Sequence, residues 1–483
     1  MALVVGVDSS TQSTKVEARD LESGAAVARG SAAHPPTEPP VSEQDPTAWW
    51  DALVSAMGQL GAHRSDVIAV AVAGQQHGLV LLDGQGAVVR PAKLWNDTTS
   101  AEAASELVEG LGAPTWADGC GSVPVAAFTV SKLAWVARHE PEMLARTSMV
   151  MLPHDYLTWR LTGRHVTDRG DASGTGWFDP DENRYRPELL GTAVDDPEGW
   201  LERLPEVVGP DTPAGELSPA AAAELGLPAG IPVGPGTGDN MAAALGLGLR
   251  TGDLALSLGT SGTVYAVSPV GTADPSGLVA GFADAAGAFL PLVCTLNATK
   301  VTDTVAAWMG TDAPGLSEMA LQAPPGFGGA VLVPYFDGER TPNLPDASGS
   351  MAGLRTTTTR EELARAAHDG VLCGLLAGLD ALGDAGVDTS GRVHLIGGGA
   401  RSGAYRQRCA DLRGAPVVVP DVEEAVATGA ALQAAAICSG AGFDEIATRW
   451  SLGSGEVIEP TSRADGARVR AAYAEAAARA GGS

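Results

Sequence analysis

Apolar residues in this chain come in short, closely punctuated runs whose spacing alternates between strand and helix periods. Residues 3–7 form a run rich in β-branched side chains that stops at Asp8 and a hydroxyl-rich stretch, Ser9-Ser10-Thr11-Gln12-Ser13-Thr14. Residues 15–20 and 25–30 follow with Glu22-Ser23-Gly24 between them, so the chain begins as a β meander. Asp45-Pro46 opens a helix, Asp45 as N-cap and Pro46 in the first turn, ahead of an amphipathic run over 48–60. A strand over 67–73 ends in Gly74-Gln75-Gln76-His77-Gly78. The second half starts the same way: a strand over 253–258, a turn Gly259-Thr260-Ser261-Gly262-Thr263, and a return strand over 264–267. A long helix is predicted over 360–382, with Thr358 and Glu361 in capping-box spacing. A strand over 393–396 runs into Gly397-Gly398-Gly399-Ala400-Arg401-Ser402 and another helix, and residues 425–439 form an Ala- and Gly-rich helix. Strands and helices alternate in both halves, which predicts an α/β class. Short helices with Pro-rich joints over 180–232 mark a shift in composition that ends near residue 246. Two domains are expected, 1–246 and 247–483.

The stretch 231–246, IPVGPGTGDNMAAALG, places Gly234, Gly236 and Gly238 at alternate positions before Asp239 and Asn240. Missing side chains there let backbone approach a ligand or another loop closely. Asp239 sits at the predicted N-terminus of the next helix, where a capping role and a catalytic role both fit.

Composition narrows the function. With 483 residues, 45% hydrophobic and 18% charged, the chain has ample length for two cored domains. Its net charge of −27, with Lys15, Lys93, Lys132 and Lys300 the only lysines, argues against nucleic acid as a partner. The five cysteines are scattered without CxxC spacing, which fits a reducing compartment and neither a zinc site nor a disulfide framework. The first residues read as a strand without a basic leader, and no apolar run approaches membrane-spanning length, so a cytoplasmic protein is expected.

The two hairpin turns suggest one chemistry. A turn rich in Gly, Ser and Thr directs N–H groups and hydroxyls to one spot, which suits a phosphate chain. Asp8, beside such hydroxyls, suits a magnesium ion, which prefers one carboxylate plus retained waters and phosphates. Ordinary hairpin turns would carry the same residues. No GxxxxGK[ST] phosphate loop occurs. Gly397-Gly398-Gly399 offers bare backbone to an adenosine, or is a plain strand-to-helix turn. His77 and the Asn96-Asp97 pair suit a polyol; the alternatives are a structural histidine and a helix entry.

Taken in register, these segments resemble the FGGY family of carbohydrate kinases. The matching pieces include VGVDSSTQSTK, AGQQHGLVLLD, RPAKLWND, DYLTWRLTG, DASGTGWFD, GTGDNMAAALGLG, LSLGTSGTVYAVS, GERTP and LIGGGARS. The resemblance implies two actin-like, ribonuclease H-type domains with an interdomain cleft. It also implies transfer of the ATP γ-phosphoryl group to a sugar, with D-xylulose as acceptor and magnesium as cofactor. On the family pattern Asp239 is the proton acceptor and Asp8 the magnesium-associated acid. Gln76, His77, Asn96, Asp97, Asp239 and Asn240 form the sugar side. Thr11, Thr260, Ser261, Gly262, Gly398, Gly399, Ala400 and Ser402 form the nucleotide side. The sequence departs from the family at Gln76, where methionine is usual, at Thr237, where glycine is usual, and at Asp337, where serine is usual. Gln76 touches the expected sugar pocket, so a related ketose or polyol is an alternative acceptor. A catalytically silent sugar sensor is the alternative from another class, and relatives suggest a homodimer. An ordinary aspartate ionises near pH 4, so Asp239 is expected to be charged and ready at neutral pH.

Overall fold

The computed structural model describes residues 1–461 and 463–481. The chain gathers into two compact units that interleave along the sequence. Met1–Leu249, Pro269–Leu290 and Val422–Gly453 make the first; Arg250–Ser268, Pro291–Asp421 and the chain from Ser454 onward make the second. A single cut at residue 246 therefore follows chain order but not compactness, because the late helix Ala425–Ser439 is part of the first unit's core.

In the first unit the sheet order is Gly215–Glu216, Pro232–Val233, Val67–Gly74, Leu3–Ser9, Ser13–Asp20, Ala26–Ala33, with Thr237–Gly238 also paired to Val67–Gly74. Leu3–Ser9 is buried on both faces, and its side chains alternate between two cores. Leu3, Val5 and Val7 pack with Trp49, Leu53 and Met57 of the helix Pro46–Gly58. Asp45 caps that helix as expected, accepting from Thr47 N at 2.9 Å. Val4 joins Ala69, Ala71 and Ala73 on the opposite face, under the alanines of Ala425–Ser439. Small residues let that helix approach closely: a Cβ on Gly6 would lie 1.8 Å from the Ala427 carbonyl oxygen. Helix Asp239–Gly246 meets the same helix through Gly246 and Gly429.

The second unit repeats the plan. Leu254–Leu258 pairs antiparallel with Gly262–Ala266, which pairs with Phe289–Thr295, while Val393–Ile396 lies parallel on the other side of Leu254–Leu258. Val417–Pro420 and Gly455–Ile458 extend the sheet. The 25-residue helix Arg360–Asp384 has its capping box at Thr359 and Glu362, one residue beyond the expected pair. Thr359 N donates to Glu362 Oε2 at 2.9 Å, whereas the Thr358 hydroxyl accepts from Arg355 N in a separate turn. Among the described residues no single helix is long and apolar enough to cross a membrane.

Candidate active site

Three parallel strands bring the acids of the first unit together. Leu3–Ser9 and Thr237–Gly238 both run parallel to Val67–Gly74, and Ala73 is the register partner of both Asp8 and Thr237. Their carboxyl ends therefore open at one edge of the sheet, where parallel α/β folds place ligands. Asp8 emerges from the first strand, Gln75-Gln76-His77 from the second, and Asp239 directly follows the third. Asp239 is the first residue of its helix, after Gly238 as N-cap; its Oδ1 accepts from Asn240 N at 2.8 Å and Asn240 Nδ2 at 3.0 Å. The same Nδ2 donates to Gln76 Oε1 at 2.8 Å, tying Gln76 to the carboxylate.

These acids are not ordinary. Burial pushes Asp8 up to about 6, against the opposing pull of the Ser10 hydroxyl and Lys15. Burial, with the negative charge of Asp8 added, pushes Asp239 up to about 7. The expectation of a fully ionised Asp239 at neutral pH is corrected accordingly: the fold keeps it near its titration midpoint. A proton acceptor works best when its pKa lies near the operating pH.

His77 holds a backbone conformation that costs energy, φ +65°. Its Nδ1 lies 2.9 Å from the Gly174 carbonyl oxygen, and its ring stacks on Phe128 at 5.1 Å. Its own carbonyl accepts from Thr129 Oγ1 at 3.2 Å and from buried Lys132 at 3.1 Å. Asn96 is partly buried in the loop after strand Ala92–Lys93, where neighbouring Trp95 donates to Thr11 Oγ1 at 2.8 Å. Thr11 in turn donates to Gln75 Oε1 at 3.1 Å. Asp97 is fully buried, and its carboxylate accepts from Ser42 N, Lys93 Nζ and Thr99 N. Those bonds make it the anchor of this loop, which explains why buried Lys93 needs it.

Sequence reasoning passes over the support beneath these residues. Gln433, from helix Ala425–Ser439, accepts from Gly236 N at 2.9 Å and donates to its carbonyl at 3.2 Å. Asp168 accepts from Thr237 Oγ1 at 2.7 Å. His154, wholly buried, lies within 3.4 Å of Asp155, Asp168 and Asp171. Asp171, Thr237 and His154 all fall in the quoted motifs or beside them, but only packing reveals their partnership.

In the second unit a cavity of about 700 Å³ opens beside the hairpin turn and the triple glycine. Thr260, Gly398, Gly399 and Ser402 line it, together with the Thr299 and Thr302 side of helix Thr299–Trp308. A Cβ on Gly398 would meet nothing within 4 Å, so the bare backbone there faces open space. Ser402 also caps the helix Gly403–Arg413, accepting from Tyr405 N at 3.3 Å. Ser261, Gly262 and Ala400 are not among the residues of this wall; Gly262 and Ala400 are buried behind it.

The FGGY N-terminal model of carbohydrate kinases matches residues 3–246 and the C-terminal model residues 254–438. This chain belongs to the FGGY family of carbohydrate kinases. As an FGGY kinase it is an enzyme that takes a sugar and ATP as substrates, on the actin-like α/β architecture of sugar kinases. It is 51% identical to the xylulose kinase of Streptomyces rubiginosus over 95% of this chain and 93% of the relative. It is 49% identical to the xylulose kinase of Streptomyces coelicolor, again over 95% and 93%. The crystal structure of xylulose kinase from Bifidobacterium adolescentis superposes with a TM-score of 0.85 at 40% identity, covering 99% of both chains.

Proposed function

We propose that this FGGY kinase phosphorylates D-xylulose, giving D-xylulose 5-phosphate and ADP, with Asp239 as the proton acceptor. The observation that carries the reading is the meeting of Asp8 and Asp239 at the carboxyl ends of parallel strands, coupled in charge, with Gln76 hydrogen-bonded through Asn240. The acceptor hydroxyl gives its proton to Asp239 as its oxygen bonds to the γ-phosphorus and the bond to ADP breaks. Gln76, His77, Asn96 and Asn240 hold the sugar. Thr260, Gly398 and Gly399 hold the nucleotide against exposed backbone.

Magnesium fits this donor set. Among the described residues no group of three or more His, Cys, Asp or Glu side chains makes a metal cage. Asp8 with the Ser10 hydroxyl instead offers the single-carboxylate site that magnesium uses alongside water and phosphate. When bound there, the ion would neutralise charge on the transferring phosphates.

Asp239→Asn keeps the charge-free shape and removes the acceptor. Its expected outcome is loss of most turnover, about 100-fold or more, with nucleotide binding retained. Turnover near wild type in that variant sinks the assignment. The polar carboxamide of Gln76 beside Asn240 favours a second reading, in which a ribulose or an alditol is the better acceptor. Coupled ADP release across pentuloses, hexuloses and alditols separates the two, and no ADP with any of them leaves only a sugar sensor. The same reading places the enzyme in the cytoplasm and takes a homodimer as its assembly, which sedimentation of the purified chain tests.

A further inference from the structure

Beneath the sheet edge that carries Asp239, one imidazole is surrounded by acids. His154 Nε2 lies 3.1 Å from Asp155 Oδ1, 3.3 Å from Asp168 Oδ1 and 3.4 Å from Asp171 Oδ2. His154 and Asp171 are completely buried, and Asp155 and Asp168 nearly so. Leaving such charges unpaired in a core is strongly unfavourable, so the constellation needs a reason. Although burial pulls the imidazole down, the three carboxylates push it up to about 9, which makes it a resident cation. Burial pushes Asp155 and Asp171 up, and the imidazolium between them is the counter-charge that such buried acids need.

The cluster reaches the reacting groups along two short routes. Asp168 Oδ2 accepts from Thr237 Oγ1 at 2.7 Å, two residues before Asp239. Asp168 Oδ1 accepts from Asp171 N at 3.0 Å; the Asp171 carbonyl accepts from Gly174 N at 2.9 Å, and the Gly174 carbonyl meets His77 Nδ1 at 2.9 Å. His154 also fills the room that two glycines leave. A Cβ on Gly236 would lie 2.6 Å from His154 Nδ1, and one on Gly74 would lie 3.0 Å from His154 Cβ.

We propose that His154 is a positioning residue for phosphoryl transfer: caged by Asp155, Asp168 and Asp171, it fixes the two backbone turns that present Asp239 and His77. This rests on the reading of Asp239 as proton acceptor. His154 touches no reacting atom; it acts through Asp168 on the Thr237–Gly238 strand and through Asp171 on the turn to Gly174. The first route depends on the Thr237 hydroxyl, which donates to Asp168 and which a glycine there would lack.

The test compares His154→Phe, which keeps the bulk and removes the charge, with His154→Phe/Asp171→Asn, which removes one opposing carboxylate as well. In His154→Phe, kcat per folded molecule with D-xylulose should fall about 100-fold, because small misplacements of a reacting group have effects of that size. The apparent KM for ATP should stay within about twofold, since the nucleotide cavity lies in the other unit, and the double variant should regain about tenfold in kcat as charge balance returns. A wild-type kcat per folded molecule in His154→Phe, or a KM for ATP that rises in step with the loss, overturns the proposal. If His154→Phe does not fold, Thr237→Val decides: it cuts only the bond to Asp168, and an unchanged kcat there overturns the proposal equally. Asp239→Asn, run beside these, separates the two ideas. An inactive Asp239→Asn with a fully active His154→Phe refutes the positioning role alone, whereas an active Asp239→Asn refutes the acceptor assignment itself.

Discussion

Asp239 is held where its charge is expensive, and that expense has a pH signature of its own. The folded pKa of about 7 stands above the ordinary value of 3.8, so the folded state binds an extra proton between those values. Stability attached to this group is fully present below about pH 4 and is lost as pH rises through 7. Asp239→Asn carries no such charge. In metal-free buffer its Tm should match wild type near pH 4 and exceed it by several degrees near pH 8. Asp8, pushed up to about 6, adds a slope of the same sign that the variant retains. A Tm difference that is flat from acid to base contradicts the burial of this carboxylate. Around residue 239 the letters alone left a helix cap and a reacting acid both open, and only the other motifs in register pointed to the acid. The elevated pKa was not legible, since a sequence shows an acid but not the water it loses. His154 and Asp168 were hidden for the same reason: charged residues in a row of letters look solvated, and only packing shows them wholly or nearly wholly buried.

Strands and their turns follow from period-two alternation, and both hairpins lie where that alternation puts them. Along Val67–Gly74 the alternation is also one of size, because Val70 and Val72 join the cluster that holds Trp49 and Leu157 while Ala69, Ala71 and Ala73 face a helix of alanines. Which helix that would be was not legible. Ala425–Ser439 is apolar on nearly every side, so it has no polar stripe to show its direction of burial. Its contact with Asp239–Gly246 depends on absent side chains. A Cβ on Gly429 would lie 1.8 Å from the Ala242 carbonyl oxygen and 2.9 Å from Gly246 N, both rigid backbone. Gly429→Ala should therefore destabilise by about 1–3 kcal/mol even though alanine is the better helix former. Chemical denaturation reads the change; a stabilised variant means the two helices are less closely packed than described. Activity should suffer with it, because Gln433 on the same helix holds Gly236 ahead of Asp239.

The first unit is completed by chain that arrives late, from Val422 to Gly453. Arg19 in the second strand donates to Thr428 Oγ1 at 2.6 Å across 409 residues of sequence, and Lys15 pairs with Glu424 at 2.7 Å. Trp450 Nε1 donates to the Leu21 carbonyl at 3.1 Å, with its ring packed over Gly24. Closing so long a loop costs little more than closing a moderate one, because the entropy grows only logarithmically with length. What the segment supplies is large: most of the lid over the face of the sheet that carries Ala69, Ala71 and Ala73, where Ala242 and Leu245 of helix Asp239–Gly246 join it from the earlier chain. A chain ending at residue 246 matches the family's N-terminal model in extent, yet it lacks this lid and the hydrogen bonds of Gln433 to Gly236. Expressed alone, that piece should bind a hydrophobic dye such as ANS and melt without a sharp transition. Fusing residues 422–453 to it through a flexible linker should restore a cooperative melt, since apolar burial of about 25 cal/mol per Å² then has its partner surface. A sharp melt of the shorter piece, as steep as that of the fused one, would mean that the late helix only decorates a core already complete. The stability and the acceptor geometry would then be separable, and Gln433→Ala in the full chain would lower turnover without lowering Tm.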